Sequence, residues 1–383
     1  MDNYTKNFLI FLAIFLAIGA IPIFFLYRAG EYTCLTDIVT NQIKSQKKII
    51  YGTALHDNMH SYKHQLLNAT KPEIIAFGSS RVMQFRQHMF KKKFVNLGGA
   101  FKSVNEGLTL ADDIVDKHPE IVIIGVDTWW FNDKTQNPDN QYIEHDDVYP
   151  SPSPFDAYTV FSWLINDKIN TSQITDILLH GSVDYGVAGQ LKDGFGPDGS
   201  YYYTSIITGA KKHPDFLFHN TFKRIEHGTK KFEYNKVANN GSVINFKALL
   251  NIFNEKEIHY IIIFPPFANK VLGKIKEMSQ QYAYIDDLKK NFRDNGISYY
   301  DFTDPALINS PDCEFIDGFH GGEVTYMRIL LKLAEKYPFF NTYVDQDYLS
   351  DSIITNQGKC FIRDGSITSK PEVDFLGFGC NKF

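Results

Sequence analysis

The sequence predicts an α/β protein: a three-layer α/β/α sandwich with a central parallel sheet, preceded by one N-terminal transmembrane helix. Three observations carry that expectation. Phe8 to Tyr27 holds no charged residue. Short, continuous apolar runs alternate with helix-periodic stretches, the pattern of strands buried on both faces. Several of those runs stop at glycine or proline, and polar residues follow at once, where ligands of open α/β sheets bind.

The apolar run comes first in the chain. About 20 residues rising ~1.5 Å each span a ~30 Å hydrocarbon layer. The run ends in bulky Phe24-Phe25-Leu26-Tyr27-Arg28, without the small-x-small site of a cleaved signal, so an uncleaved anchor is expected over 1–28. Lys6 precedes the span, and Arg28, Lys44, Lys47 and Lys48 follow it. That charge bias does not favour a cytoplasmic N-terminus, but large domains translocate regardless of it. A mixed, membrane-proximal segment fills 29–71.

The alternating pattern then begins. Ile74-Ile75-Ala76-Phe77 reads as a strand ending at Gly78, followed by helical spacing over Ser80–Phe90. Phe94-Val95-Asn96-Leu97 is a second strand, closed by Gly98-Gly99, and Val104–Lys117 a helix. Ile121–Val126 is the most apolar strand. Phe246–Glu255 reads as a helix, His259–Phe264 as a strand stopped by Pro265-Pro266, Gly273–Asn295 as a helix, Ser298–Phe302 as a strand and Gly322–Lys336 as the closing helix. The domain therefore spans 72–343, with an insertion over 131–243 where the pattern breaks, and a tail without clear period over 344–383. The insertion reads either as a substrate wall or lid over the strand ends or as surface decoration.

Composition narrows the function classes. The 383 residues are 44% hydrophobic and 22% charged, the balance of a globular chain, with a formal net charge of -5. The one short basic run, Lys91-Lys92-Lys93, reads as a solvated helix end, so no nucleic acid is expected. His56, His60 and His64 have helical spacing but no acidic or Cys partner at diagnostic distance, so no metal is expected. Four cysteines are too few for a disulfide framework; Cys360 and Cys380 lie close in a Gly-rich tail and are the pair expected in an oxidising compartment.

Two motifs carry chemistry. A serine hydroxyl becomes a nucleophile only beside a base that a third group holds. In Gly78-Ser79-Ser80-Arg81, glycine permits a tight exit from the strand, and the serines sit where backbone N–H groups face an anion. Either serine also reads as a plain helix cap. In Asp317-Gly318-Phe319-His320, the three-residue spacing lets the carboxylate meet imidazole Nδ1 and leaves Nε2 for the serine proton. The serine follows the first strand, and the Asp-His pair precedes the last helix.

These blocks resemble the SGNH (GDSL-like) hydrolase superfamily, a flavodoxin-like fold. Gly78-Ser79-Ser80 is similar to its first block, with the nucleophile at Ser80; Asn96-Leu97-Gly98 to its Asn-x-Gly turn; Asp317 to His320 to its Asp-x-x-His. The likeness covers about 74–126 and 258–336. One block departs: Gly-x-Asn is here Gly125-Val126-Asp127. An ionised Asp accepts hydrogen bonds and repels an oxyanion, so the N–H groups of Ser80 and Gly98 are expected to form the oxyanion hole. With the anchor, the likeness extends to envelope proteins that work beside membrane-bound O-acyltransferases: the D-alanyl transfer protein of teichoic acids and the O-acetylation proteins of alginate and peptidoglycan. It implies an extracytoplasmic, membrane-anchored enzyme moving an acyl group to or from a cell-envelope polysaccharide, with an acyl donor, a membrane acyltransferase partner and no cofactor. The rival readings are a hydrolytic carbohydrate esterase and a non-catalytic polysaccharide-binding subunit. Ser79, Arg81, Asp127, Trp129 and Trp130 are candidates for substrate contact. For Arg81 a helix-surface salt bridge, and for the tryptophans burial beneath the insertion, are the bland readings.

Overall fold

The computed structural model describes residues 3–55, 59–135 and 151–382. It divides into two compact units, Met1–Asn58 with His145–Pro197, and Met59–Glu144 with Asp198–Phe383. The expected insertion is thus shared between the units rather than forming one piece, and the helix Met59–Ala69 belongs with the catalytic unit.

In the first unit, the helix Asn3–Ala29 is long and apolar enough to cross a membrane. Its last turns bury Phe25, Leu26 and Ala29 against Val160, Trp163, Ile169 and Ile177. Those partners lie on or beside the helices Pro154–Ile165, which starts with a Ser153 capping box, and Thr171–Leu179. The first of these leaves Phe155, Tyr158 and Ile165 exposed. Below the anchor the carboxylate of Glu31 collects the Thr53 hydroxyl at 2.7 Å and the amides of Ala54 and Val187 at 2.9 and 2.7 Å.

The second unit is built on a five-stranded sheet, wholly parallel: β1 (Ile74–Gly78), β2 (Phe94–Gly98), β3 (Ile121–Gly125), β4 (His259–Phe264) and β5 (Tyr300–Asp301), in the order β2-β1-β3-β4-β5. β1, β2 and β3 are buried along their whole length, which is why they read as unbroken apolar runs. Successive side chains point to opposite faces. Ile74, Ala76, Ile121, Ile123, Ile261 and Ile263 pack with Val324, Met327 and Leu330 of the helix Glu323–Lys336. Truncating such a residue to alanine costs about 2–5 kcal/mol. Phe77 turns to the other face and meets Phe253 of the helix Asn240–Glu255 edge-on at 6.4 Å.

Glycines close the first three strands in register: Gly78 pairs with Gly98 and with Gly125. Their role is steric. A Cβ on Gly125 would stand 2.1 Å from a Val82 methyl carbon, and those on Gly98 and Gly78 would stand 2.9 and 3.1 Å from the other Val82 methyl carbon. Val82 therefore lies across the bare ends of three strands and seats the turn that carries Ser80.

The structure departs from the expected elements at definite places. Ser80–Phe90 is not one helix but two single 3-10 turns, Ser80–Val82 and Gln87–Met89. The Asn96 amide donates to the carbonyls of Val82 and Phe85 at 2.8 and 2.9 Å, taking acceptors that a continuing helix needs. Gly273–Asn295 is likewise two helices, Asn269–Glu277 and Tyr284–Asp294. At the break, backbone groups of Gln281 and Tyr284 pair with Asn235 instead. The expected strand Ser298–Phe302 narrows to Tyr300–Asp301. The tail contains a helix, Gln346–Thr355, that its weak periodicity hid.

The disulfide joins Cys313 to Cys380, not Cys360 to Cys380. Cys360 is buried, and its thiol donates to the carbonyl of Phe315 at 2.9 Å. Lys91-Lys92-Lys93 lies between a 3-10 turn and β2, with Lys92 on Glu120 at 2.5 Å. His60 and His64 sit on the helix Met59–Ala69, while His56 lies outside the described residues. Among the described residues no group of three or more His, Cys, Asp or Glu is placed to hold a metal ion.

Candidate active site

Ser80 stands at the carboxyl end of β1, in the 3-10 turn that Ser79 caps by accepting the Arg81 N–H at 3.1 Å. Ser79 is thereby occupied and buried. The Ser80 hydroxyl lies 2.9 Å from His320 Nε2, and His320 Nδ1 lies 2.8 Å from Asp317 Oδ2. The three side chains, separated by up to 240 positions in the chain, thus form one continuous hydrogen-bonded line. Both ends of the bonding order fit a Ser-His-Asp relay: Nδ1–H donates to the carboxylate, leaving Nε2 to accept from the hydroxyl.

The carboxylate is itself held. Asp317 Oδ1 accepts the backbone N–H of Phe319 at 2.9 Å and of His320 at 2.8 Å. Burial alone pushes this carboxyl up; the charge and hydrogen bond of His320 and the two amides outweigh it and hold the pKa down to about 2. Asp317 is therefore an anion at any pH at which the protein works. Behind it, Asp215 Oδ2 accepts the Gly318 N–H at 3.0 Å and the Thr221 hydroxyl at 2.6 Å. A Cβ on Gly318 would meet Thr221 at 2.7 Å, so the loop needs glycine to lie this close.

Arg81 is not on a helix surface. It is 2% exposed, and its guanidinium donates to four carbonyl or carboxylate oxygens: Phe319 O at 2.9 Å, Pro265 O and Pro266 O at 2.7 Å each, and Asp127 Oδ1 at 3.2 Å. With its Nε–H and both Nη groups engaged, it has a structural grip in place of the free fork that substrate contact would need. The Tyr326 hydroxyl donates to the Arg81 carbonyl from the closing helix.

Asp127, where the resembling family has Asn, is fully buried. Burial pushes its carboxyl up, and the Arg81 charge, the Ser79 hydroxyl and Lys231 pull against that. Its role in the structure is to meet Arg81 at the end of β3. Gly98 also departs from expectation: its N–H donates to Asn96 Oδ1 at 2.7 Å and is not open to an oxyanion. Among the described residues no acceptor takes the N–H of Ser80. Trp129 and Trp130, 2% and 3% exposed, present no face for a sugar. Trp129 meets Phe319 edge-on at 6.2 Å, and Trp130 packs on Phe101 at 5.0 Å.

Some positioning residues were not foreseen. Val82, Asp215 and the Pro265-Pro266 carbonyls act through space, and only His213-Pro214-Asp215, a compact polar cluster in an otherwise irregular stretch, offered a signal. No protein-family model matches the chain, and no curated protein gives a significant match.

Proposed function

We propose that this chain is a membrane-anchored serine acyltransferase or esterase of SGNH type, which moves an acyl group to or from a cell-envelope polysaccharide through an acyl-enzyme on Ser80. The observation that carries the reading is the line Ser80–His320–Asp317, at 2.9 and 2.8 Å. Ser80 Oγ attacks the acyl carbonyl while its proton passes to His320 Nε2. Asp317 holds Nδ1–H and stabilises the imidazolium. The Ser80 N–H is the amide left for the oxyanion once Gly98 is engaged. The leaving alkoxide then takes the proton from Nε2. In the second half a sugar hydroxyl, or water, surrenders its proton to Nε2 and attacks the serine ester.

The apolar helix Asn3–Ala29 supports the anchor, and the Cys313–Cys380 disulfide supports an oxidising, extracytoplasmic side. A membrane-bound O-acyltransferase as the source of acyl groups belongs to the same reading. Labelling with a serine-directed phosphonate tests it: one phosphonate is expected on Ser80, none in Ser80→Ala and little in His320→Ala. Undiminished labelling of Ser80→Ala overturns the nucleophile. Acyl release measured with and without an acceptor oligosaccharide then separates transfer from hydrolysis.

A further inference from the structure

Next to His320 the structure holds two cations that no acidic group claims. Arg224 lies on the helix His219–His227, with its guanidinium carbon 5.6 Å from the centre of the Phe319 ring, and Phe319 in turn lies 4.3 Å from the His320 ring. Arg224 Nε is buried without a hydrogen-bond partner. Lys231 places its ammonium 5.2 Å from the centre of the Trp129 ring, whose edge relation to Phe319 closes the cluster. Contact with a ring face leaves the N–H donors of both cations unused.

The carboxylates around them are engaged elsewhere. Asp127 meets Arg81, Asp317 meets His320, and Asp215 holds Thr221 and Gly318. Glu226 pairs with Lys274 at 3.1 Å. Glu233 accepts the Thr135 hydroxyl at 3.0 Å and only the backbone N–H of Lys231, at 3.2 Å. Among the described residues, neither Arg224 nor Lys231 makes an ion pair. Lys230 and Lys231 moreover sit in the left-handed region, φ 53° and 80°, which side-chain-bearing residues avoid unless the surroundings impose it. Burial, and in smaller part the charge of Arg224, lowers the Lys231 pKa. Two cations held together against repulsion and strain, with donors unsatisfied, are what an anion site looks like when empty of its anion.

We propose that Arg224 and Lys231 form an anion subsite beside the Ser80–His320 pair, so that the substrate carries a phosphate or carboxylate close to the acyl group. This rests on the serine-enzyme reading above. The planar guanidinium suits two oxygens of one anion, and the ammonium adds a point charge.

The test uses the full chain in detergent, with Ser80→Ala to prevent turnover. Glycerol phosphate, glucuronate and neutral glycerol are titrated by calorimetry. Saturable binding of an anion but not of glycerol is expected, and the stronger of the two anions names the substrate class. Adding Arg224→Gln or Lys231→Gly should weaken it at least tenfold, while Arg224→Lys retains part of it. Glycine suits the left-handed backbone at 231, so that variant removes charge without added strain. With Ser80 restored, the ratio of kcat/KM for an anionic over a neutral ester should fall at least tenfold in the same variants. Absence of anion binding, or binding untouched by either charge removal, overturns the subsite. Phosphonate labelling separates the two ideas: labelled Ser80 without anion binding sinks the subsite alone, and anion binding without labelling sinks the enzyme alone.

Discussion

Arg81 donates its Nε–H to the carbonyl of Phe319 across 2.9 Å. The residue after the nucleophile thus grips the residue before the base. Because the same guanidinium also holds Asp127 and the carbonyls that follow β4, one side chain fixes the relative positions of three strand ends and the histidine loop.

Arg81→Met should accordingly lose both stability and activity. Leaving Asp127 buried without its cation costs about 3–5 kcal/mol. Adding Asp127→Leu removes the stranded carboxyl and should recover much of the melting temperature. Activity should stay down, because nothing then ties Phe319 in place. Thermal melts and ester turnover on the single and double variants measure this. A double variant that regains full turnover would show the clamp to be dispensable for positioning.

Gly125→Ala should destabilise the protein by about 1–3 kcal/mol, the usual range for overpacking, since its Cβ would stand 2.1 Å from a Val82 methyl. Val82→Ala on the same chain should return part of that loss. Urea unfolding of the two variants checks the coupling, and strictly additive losses would contradict it.

The Asp317 carboxyl should titrate near pH 2 in the folded protein, as its depressed pKa requires. A carboxyl depressed by folding adds stability above its unfolded pKa and loses it as pH falls through the folded value. The drop from 3.8 to about 2 corresponds to roughly 2 kcal/mol, present above about pH 4 and lost towards pH 2. Carbon-detected NMR of the carboxyl reports the value directly. In His320→Ala it should rise, because the largest stabilising partner is gone.

Peptide mapping without reduction should recover Cys313 linked to Cys380, with Cys360 alkylated only after unfolding. Cys313→Ser should cost about 2–4 kcal/mol. The bridge lies just ahead of Asp317, so activity should fall in parallel under reductant. A Cys360–Cys380 peptide as the main product would contradict the pairing.

Much of this was legible in the chain because the physics is local. The strands are short apolar runs since both faces are covered, and each ends at a residue the pattern marks. Ser80, His320 and Asp317 could be named from strand-end placement and three-residue spacing. What could not be read depends on distant partners. The helix expected after Ser80 breaks because Asn96, on the next strand, takes its carbonyls. Gly98 loses its expected freedom to the same side chain. Arg81 looked like a surface residue because nothing near it in sequence announces the oxygens it meets. The cysteine pairing went to the farther partner, since proximity in sequence is no guide once a thiol is turned towards the Phe315 carbonyl.

Asp215 comes from the irregular stretch between β3 and β4, yet it holds the Gly318 amide inside the catalytic loop. The excursion is therefore not a detachable ornament that could be exchanged to retune specificity. A chimera that kept the sheet but replaced this stretch would inherit a serine and a histidine with a slack tether between them, so redesign has to treat residue 215 as belonging to the engine and begin its cuts elsewhere.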